Sequence, residues 1–577
     1  MSQVERMSQV DELPVPGDPG VAAERDRLAR TLRDTRLQLA MTQARLGALE
    51  QSATMELGRA LVRAARRPWP RGVQLPLDLV RLWRERGGLT GPGAATLALA
   101  SAQLGDLAGG GERFLSALTA PGLDTAGLGA GGTPGIVVTG VLTARSAATL
   151  APDAAVHPLL PHDADVMLES VGADLVLIEA AAMLAGSAWA YAGDPAAADR
   201  GRRLGRLIAA ARALGKPVIF VRNIPAHLAP GLDWVAASCD AVADDGFGVQ
   251  LARFNPIGLD SARPRDPVYA GARDPREPPA VRVLLDAIAE SVPLAGRVPW
   301  GREPALYRKH AAFVTASAGQ ARDLLACGAR AIMISARADM LGAEQVAGAI
   351  TPGAGDTWSA AALRAQVDAV RAERPLARAE VGPALREIFT GHATPVRLMA
   401  LAGLGGLPGG LVAARQIAVL ARADDAAAAA VLGASLTRQR VAPAELVVSV
   451  GATDADTAEL TGRAVTAALG ELADRGTAIR TVPWVSGTAD GGRTGWLARA
   501  ANAARSPWVV PWPADVDCPA SYLLDLACAR ECSQADAVGY AGAAYAFVPS
   551  LEPALARREF FTSGDTARHG PRLFSVS

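Results

Sequence analysis

The sequence predicts an α/β protein: two or more Rossmann-like parallel-sheet modules behind an N-terminal coiled coil. Three observations carry that expectation. Short apolar runs such as DLVLIEA (174–180) and ELVVSV (445–450) alternate with longer segments whose apolar residues recur every three or four positions. Runs without polar interruption belong to strands buried on both faces, as in parallel sheets covered by helices. Residues 21–50 carry a heptad seam, Leu28, Leu32, Thr35, Leu39, Thr42, Leu46 and Leu49, spaced alternately four and three apart.

Composition narrows the function classes. At 577 residues the chain has room for two to four domains. Its formal net charge is zero and its pI about 7.0, so no global field favours nucleic acid. Ala, Gly and Arg dominate, and lysine occurs only at Lys216 and Lys309, a bias that fits a GC-rich genome. Five scattered cysteines (Cys239, Cys327, Cys518, Cys528, Cys532) fit free thiols in a reducing compartment. Cys528 and Cys532 lie one helical turn apart near Cys518, but no His or fourth Cys completes a zinc set, and they read as buried small residues.

In chain order, residues 1–20 read as a polar, disordered tail without the apolar core of a signal peptide. The repeated MSQV makes Met7 an alternative start. Residues 21–54 are the predicted coiled coil, which implies a homodimer or a coiled-coil partner; a single amphipathic helix packed on the body is the alternative. Within 55–133, arginines cluster around Trp69, Leu75, Leu79, Leu82 and Trp83. Such a basic, aromatic, amphipathic segment either lies on anionic lipid or packs as a helical hairpin, and a Gly/Ala-rich linker follows. No apolar run is long enough to span a bilayer. The expectation is a soluble, cytoplasmic protein, peripheral to the inner face of the membrane if the basic segment docks there.

From Pro134 a first module begins, with strands in PGIVVTGVL, DLVLIEA, KPVIFVRN (216–223) and CDAVADD (239–245). Between the second and third runs a helix with Leu204, Leu207, Ile208, Ala211 and Leu214 on one face. No GxGxxG follows the first strand, which removes the dinucleotide-dehydrogenase reading. Residues 401–411 form a Gly/Pro hinge. A further α/β unit, 412–577, then opens with RQIAVLARADD (415–425), a helix over 426–438, a strand in PAELVVSVGATDAD (443–456) and a third in TAIRTVPWV (477–485).

The stretch 495–525 carries the candidate chemistry. A helix opens at Gly495 and shows a small-residue face; Trp508-Val509-Val510 is a short strand, and Asp515-Val516-Asp517 follows its carboxyl end. Ligands of open α/β sheets gather at such ends. Two carboxylates one residue apart there can share a Mg²⁺ or Mn²⁺ ion with a diphosphate, and the metal would neutralise charge on a departing nucleoside diphosphate. The same aspartates would otherwise cap the following helix, where Pro519 suits a first turn.

Gly495, Ala501-Asn502, the strand and Asp515-Val516-Asp517 together resemble the family-2 glycosyltransferases of GT-A fold. The opening strand, a helix ending near Gln439, and the corner at Asp454 are similar to the same family, although Ser449-Val450-Gly451 stand where its second strand ends in acids. The resemblance implies a nucleotide-sugar site of Asp454, Gly495, Asn502, Asp515 and Asp517, with the metal on Asp515 and Asp517. FTSGDT (561–566) resembles the family's Gly-Gly-Thr turn, after which its general base usually follows. Here the chain offers Asp565 and Glu559 as substitutes, and the catalytic residue is left unassigned.

Residues 135–400 resemble the CgeB-like glycosyltransferases, a GT-B-type family. The landmarks, in order, are DLVLIEAAAMLAGSAW, GKPVIFVRNIPAH, LARFNPI, ALYRKHAAFVTASAGQARDLLACGARAIMIS (305–335) and the return helix REIFTGHATPVRL (386–398). The two GT-B-like halves would be 134–262 and 263–400. The family's polar Lys-Glu-Asp set is replaced by Arg222-Asn223-Ile224-Pro225, leaving His227, and its ribose-holding acid falls on Asp323. His227 and Asp323 form a second candidate nucleotide site. The whole therefore implies sugar transfer from a nucleotide-sugar to a glycan acceptor in cell-surface polysaccharide or glycoconjugate assembly, the alternative being a catalytically inactive scaffold of the same build.

Overall fold

The computed structural model describes residues 136–576 apart from 225–227, 229–230, 261, 272–278, 297, 335–347, 353–357, 408–414, 452–454, 485–492, 514–516, 541–544, 550–551 and 563–571. The coiled-coil and basic segments at 21–54 and 55–133 thus lie outside the described residues, as does the corner at Asp454. Among the described residues no helix is long and apolar enough to cross a membrane.

The chain divides into two compact units, residues 1–109 with 159–172, and residues 110–158 with 173–577. The described part of the former is one helix, Ala164–Val171, whose buried Ala164, Met167, Leu168 and Val171 share a face, and which Gly172 ends at φ 60°. The remainder of the description concerns the larger unit.

Its first module is a five-stranded sheet, all parallel, in the order β2-β1-β3-β4-β5. The strands are β1 (Val137–Val141), β2 (Ala155–Pro158), β3 (Leu175–Glu179), β4 (Val218–Val221) and β5 (Ala241–Ala243). Helix α1 (Ala144–Leu150) follows β1, and α2 (Ala198–Ala213) buries Leu204, Leu207, Ile208 and Ala211 as their spacing predicts. Strand β2 is the one member the sequence pattern did not single out. It is an edge strand whose four residues are only half-buried, so no apolar run marks it.

A second, three-stranded parallel sheet follows: β6 (Val268–Tyr269), β7 (Ala312–Thr315) and β8 (Arg330–Met333). Alternate residues of β7 face opposite ways. Val314 joins the layer of α3 (Pro279–Ile288) and α6 (Ala360–Ala372); Phe313 faces the side of α5 (Ala318–Ala326) and α7 (Arg378–Glu387). Helix α4 (Glu303–Lys309) leads into β7.

After α7 the chain makes one wide π turn, Ile388–His392, and enters α8 (Thr394–Leu404). Leu398 and Leu401 of α8 are fully buried in the core of the first sheet, beside Val138, Leu175, Leu177 and Ile219. The segment 394–400, grouped with the second half by the sequence boundaries, therefore covers the first sheet; its apolar face belongs there. Gly248 makes the crossing fit. Its φ is +77°, and a Cβ there would stand 2.5 Å from the His392 carbonyl oxygen. Helix α8 also runs on to Leu404, so the 401–411 hinge begins inside a helix.

The C-terminal module is an eight-stranded mixed sheet in the order β11-β10-β9-β12-β15-β13-β16-β14. Strands β9 (Ile417–Arg422), β10 (Glu445–Gly451), β11 (Ala478–Trp484) and β12 (Trp508–Pro511) are parallel. β15 (Pro553–Arg557) runs against both β12 and β13 (Ala537–Gly539), so β13 points the same way as β12. β14 (Ala546–Val548) and β16 (Leu573–Ser575) complete the sheet. Helix α9 (Ala426–Thr437) follows β9, α10 (Ala455–Ala468) follows β10, α11 (Arg493–Ala503) precedes β12, and α12 (Tyr522–Ser533) precedes β13. The small face of α11, Ala500 and Ala501, and Ala504 just past its end pack on Ala418, Leu420, Val447 and Val509.

One continuous core joins the three-stranded sheet to this one, from Phe313, Leu324 and Cys327 through Leu385 to Leu523, Cys528 and Val419. Polar bonds reinforce the junction. Arg415 donates from Nε and Nη2 to the two oxygens of Glu531, each at 2.7 Å, and lies over the Phe389 ring. Arg386 donates in the same two-pronged way to Asp525 at 2.7 and 2.9 Å. Asn255 donates to the Cys532 carbonyl at 3.1 Å. Cys518, Cys528 and Cys532 are buried free thiols, as expected.

Candidate functional site

Two carboxyl edges of parallel strands are the natural places to look for a ligand. At the five-stranded sheet β3 ends in Glu179, and Thr143, Asn223 and Asp245 stand two residues past the ends of β1, β4 and β5. Glu179 is 1% exposed. It accepts from the Thr143 N–H at 2.6 Å, the Ser146 hydroxyl at 2.7 Å and the Asn223 amide at 2.8 Å. Burial raises its pKa against the pull of those donors.

Opposite stand α4 and α5. Arg145, in the first turn of α1, reaches across to Glu303 Oε2 at 3.1 Å and Asp323 Oδ2 at 3.2 Å. Two carboxylates thus share one guanidinium. Burial, and then the neighbouring Glu303 charge, outweigh Arg145 and Arg322 and push Asp323 up to about 7. Alongside, Asp245 takes Arg322 at 2.9 Å and has Arg397 at 3.6 Å and His392 Nδ1 at 3.9 Å. Burial first, then Arg322, lowers the His392 pKa. Asp323, expected to hold a ribose, is instead buried in this ion-pair clasp between the two sheets, with its carboxylate turned to Arg145. His227 lies outside the described residues.

The eight-stranded sheet presents a different edge. Arg422, Gly451 and Trp484 are the last residues of β9, β10 and β11, three parallel neighbours. The Arg422 guanidinium sits over the Trp484 ring at 4.4 Å and pairs bidentately with Asp424 at 3.0 and 2.8 Å. Asp424 Oδ1 is 2.6 Å from where a Gly451 Cβ would be, so glycine is what admits it. Asp424, from the loop after β9, thus lies against the end of β10, where the resemblance led to the expectation of acids. From the sequence alone Asp424, Arg422 and Trp484 had no role; the signal was the acid closely following the apolar strand of RQIAVLARADD.

The predicted donor residues do not converge as expected. Asp454 and Asp515 lie outside the described residues. Gly495, the third residue of α11, lies on the carboxyl-edge side. Asn502 is seven residues further, about 10 Å down the axis, on an exposed position. Its end of α11 lies at the opposite edge of the sheet, since the Arg505 and Ser506 N–H groups donate to Glu445, the first residue of β10. A helix antiparallel to its strands cannot bring both its ends to one edge, so Asn502 leaves the candidate site.

Asp517 pairs with Arg438, just past the end of α9, at 2.7 Å, on open surface. Glu559 follows β15, whose antiparallel run carries it to the start of β12, where the Arg558 side chain and N–H donate to Ala504 and Pro507 carbonyls. It stands at the edge opposite Arg422 and Trp484, and Asp565 is outside the described residues. Of the predicted metal pair only Asp517 is described, and its carboxylate is paired with the Arg438 guanidinium. No group of three His, Cys, Asp or Glu among the described residues is placed to hold an ion.

No protein-family model matches this chain, and no curated protein does. Solved structures of S. aureus TarS, one of residues 1–349, are similar at 15% identity with TM-scores of 0.20 and 0.21. The match covers 28% of this chain and 58% or 35% of those chains, a little over half of the shorter. A likeness of that size bears on neither site nor activity.

Proposed function

We propose that this chain is a glycosyltransferase-like protein that binds a nucleotide-sugar at the carboxyl edge of its eight-stranded sheet, for sugar transfer in cell-surface glycan assembly. The observation that supports the reading is the Arg422–Asp424–Trp484 group above Gly451. It offers the exposed Arg422 guanidinium, backed by the buried Trp484 ring, for a base and the Asp424 carboxylate for ribose hydroxyls. Glycan acceptor, coiled-coil partner and contact with a membrane surface belong to the same proposal.

A second reading, a catalytically silent scaffold, is favoured by a specific observation: Asp517 is tied to Arg438 while Glu559 sits at the far edge. Calorimetric titration of UDP, GDP and thymidine diphosphate, with and without Mn²⁺, separates the two. Binding by wild type, weakened in Trp484→Ala and lost in Asp515→Ala/Asp517→Ala, supports the donor site. Absence of binding by every nucleotide to well-folded protein leaves the scaffold.

A further inference from the structure

An aromatic row runs along the same sheet from β12 to β13, two strands away. Trp512 is one residue past β12, and Tyr540 is one residue past β13. Since β12 and β13 point the same way, both rings come to the carboxyl edge. Tyr522, the first residue of α12, bridges them. Its ring meets Trp512 edge-on at 5.7 Å and 90°, and stacks on Tyr540 at 6.1 Å and 16°.

The outer member is open: Tyr540 is 47% exposed. The inner members are fixed. Trp512 is nearly buried, and the first turn of α12 is anchored where Ser521 and Arg386 both donate to Asp525. Asp525 is close enough to act on Tyr540: burial, followed by the Asp525 charge, pushes the phenol up to about 12. A rigid, half-exposed aromatic plane beside a carboxylate and a guanidinium suits a ligand with one apolar C–H face and a rim of hydroxyls.

Strand spacing sets the distances. From β9, which carries Arg422, to β13 is three strand steps, roughly 14 Å, and from β11 roughly 24 Å. A base seated at Arg422 would not reach Tyr540, whereas a ligand on the β13 side of β12 would.

We propose that Tyr540, stacked on Tyr522, is a platform for a pyranose ring of the glycan acceptor. This extends the nucleotide-sugar reading to its second substrate and rests on it only for the word acceptor; the platform itself is independent of donor binding.

The test is tryptophan and tyrosine fluorescence titration of the full chain with hexaoses of β-1,4-glucose, β-1,4-N-acetylglucosamine and α-1,4-glucose, with uridine and guanosine as a separate arm. At least one hexaose binds wild type, Tyr540→Phe keeps its affinity, and Tyr540→Ala weakens it about tenfold. Thermal unfolding of each variant checks that the fold is kept. The platform is overturned if no hexaose binds, if Tyr540→Ala binds like wild type, or if a nucleoside rather than a hexaose is what Tyr540→Ala loses. Hexaose binding without nucleotide binding sinks the donor site and leaves the platform; the reverse sinks the platform alone.

Discussion

Two carboxyl edges in one chain have been put to opposite uses. At the five-stranded sheet, the polar residues that close the strands are engaged by the protein itself: Glu179 by Thr143, Ser146 and Asn223, and Asp245 by Arg322. Arg145 reaches over from the same edge to Glu303 and Asp323. At the eight-stranded sheet Arg422 and Asp424 pair with each other at the surface over the buried Trp484 ring, their side chains 43% and 56% exposed. The same architecture can close its polar edge against a neighbouring module or hold it ready for a ligand, and burial distinguishes the two cases where motif order does not.

The sharpest way to break that comparison is through the buried junction. Arg415 and Glu531 are about one-tenth exposed, and removing one partner strands the other charge. Arg415→Ala should lower unfolding stability by about 3–5 kcal/mol in urea titration. A loss under about 1 kcal/mol would mean the junction is wet and the modules are held by apolar packing alone.

The next effect reads the clasp by pH. Asp323 has a pKa raised to about 7 in the fold from an ordinary carboxylate value. A raised acid binds its proton more tightly when folded, so its contribution is complete at low pH and is lost as pH climbs to about 7. Asp323 should therefore contribute a loss on the order of 2 kcal/mol between pH 5 and pH 8, and Asp323→Asn should reduce the slope, leaving the part that belongs to Asp153, which burial also raises to about 7. An unchanged slope in the Asn variant would move the titration to another group. Tyr307, Glu303, Arg145 and Arg322 also face Asp323, and Glu303, likewise raised by burial, is the one to test then.

The smallest effect belongs to the open edge. Asp517 and Arg438 form an exposed pair, so Asp517→Ala should change stability by less than about 1 kcal/mol. A larger loss would show that this edge, too, is engaged in holding the fold.

Most of the fold was legible because its strands are apolar on both faces: LVLIE, VIFV and ELVVSV announce themselves. β2, β15 and β16 were not, being a half-buried edge strand or late strands of three to five residues. The site was less legible. Arg145 meets Glu303 and Asp323 across 158 and 178 residues, a juxtaposition no spacing rule reveals. Asn502 failed for the converse reason: it is close to Asp515 in sequence, and the helix carries it to the opposite edge. An acid closing an apolar strand, as at Glu179, was a readable signal that went unused.

The crossing of α8 has a consequence for how the protein is made. Leu398 and Leu401 complete the core of a sheet whose last strand ends at Ala243. On a ribosome adding about 5–20 residues per second, that sheet would wait roughly 10–30 s with one apolar face uncovered. The first module is thus first in synthesis but not first finished, and a nascent chain halted before Thr394 would present that face to chaperones or to other chains.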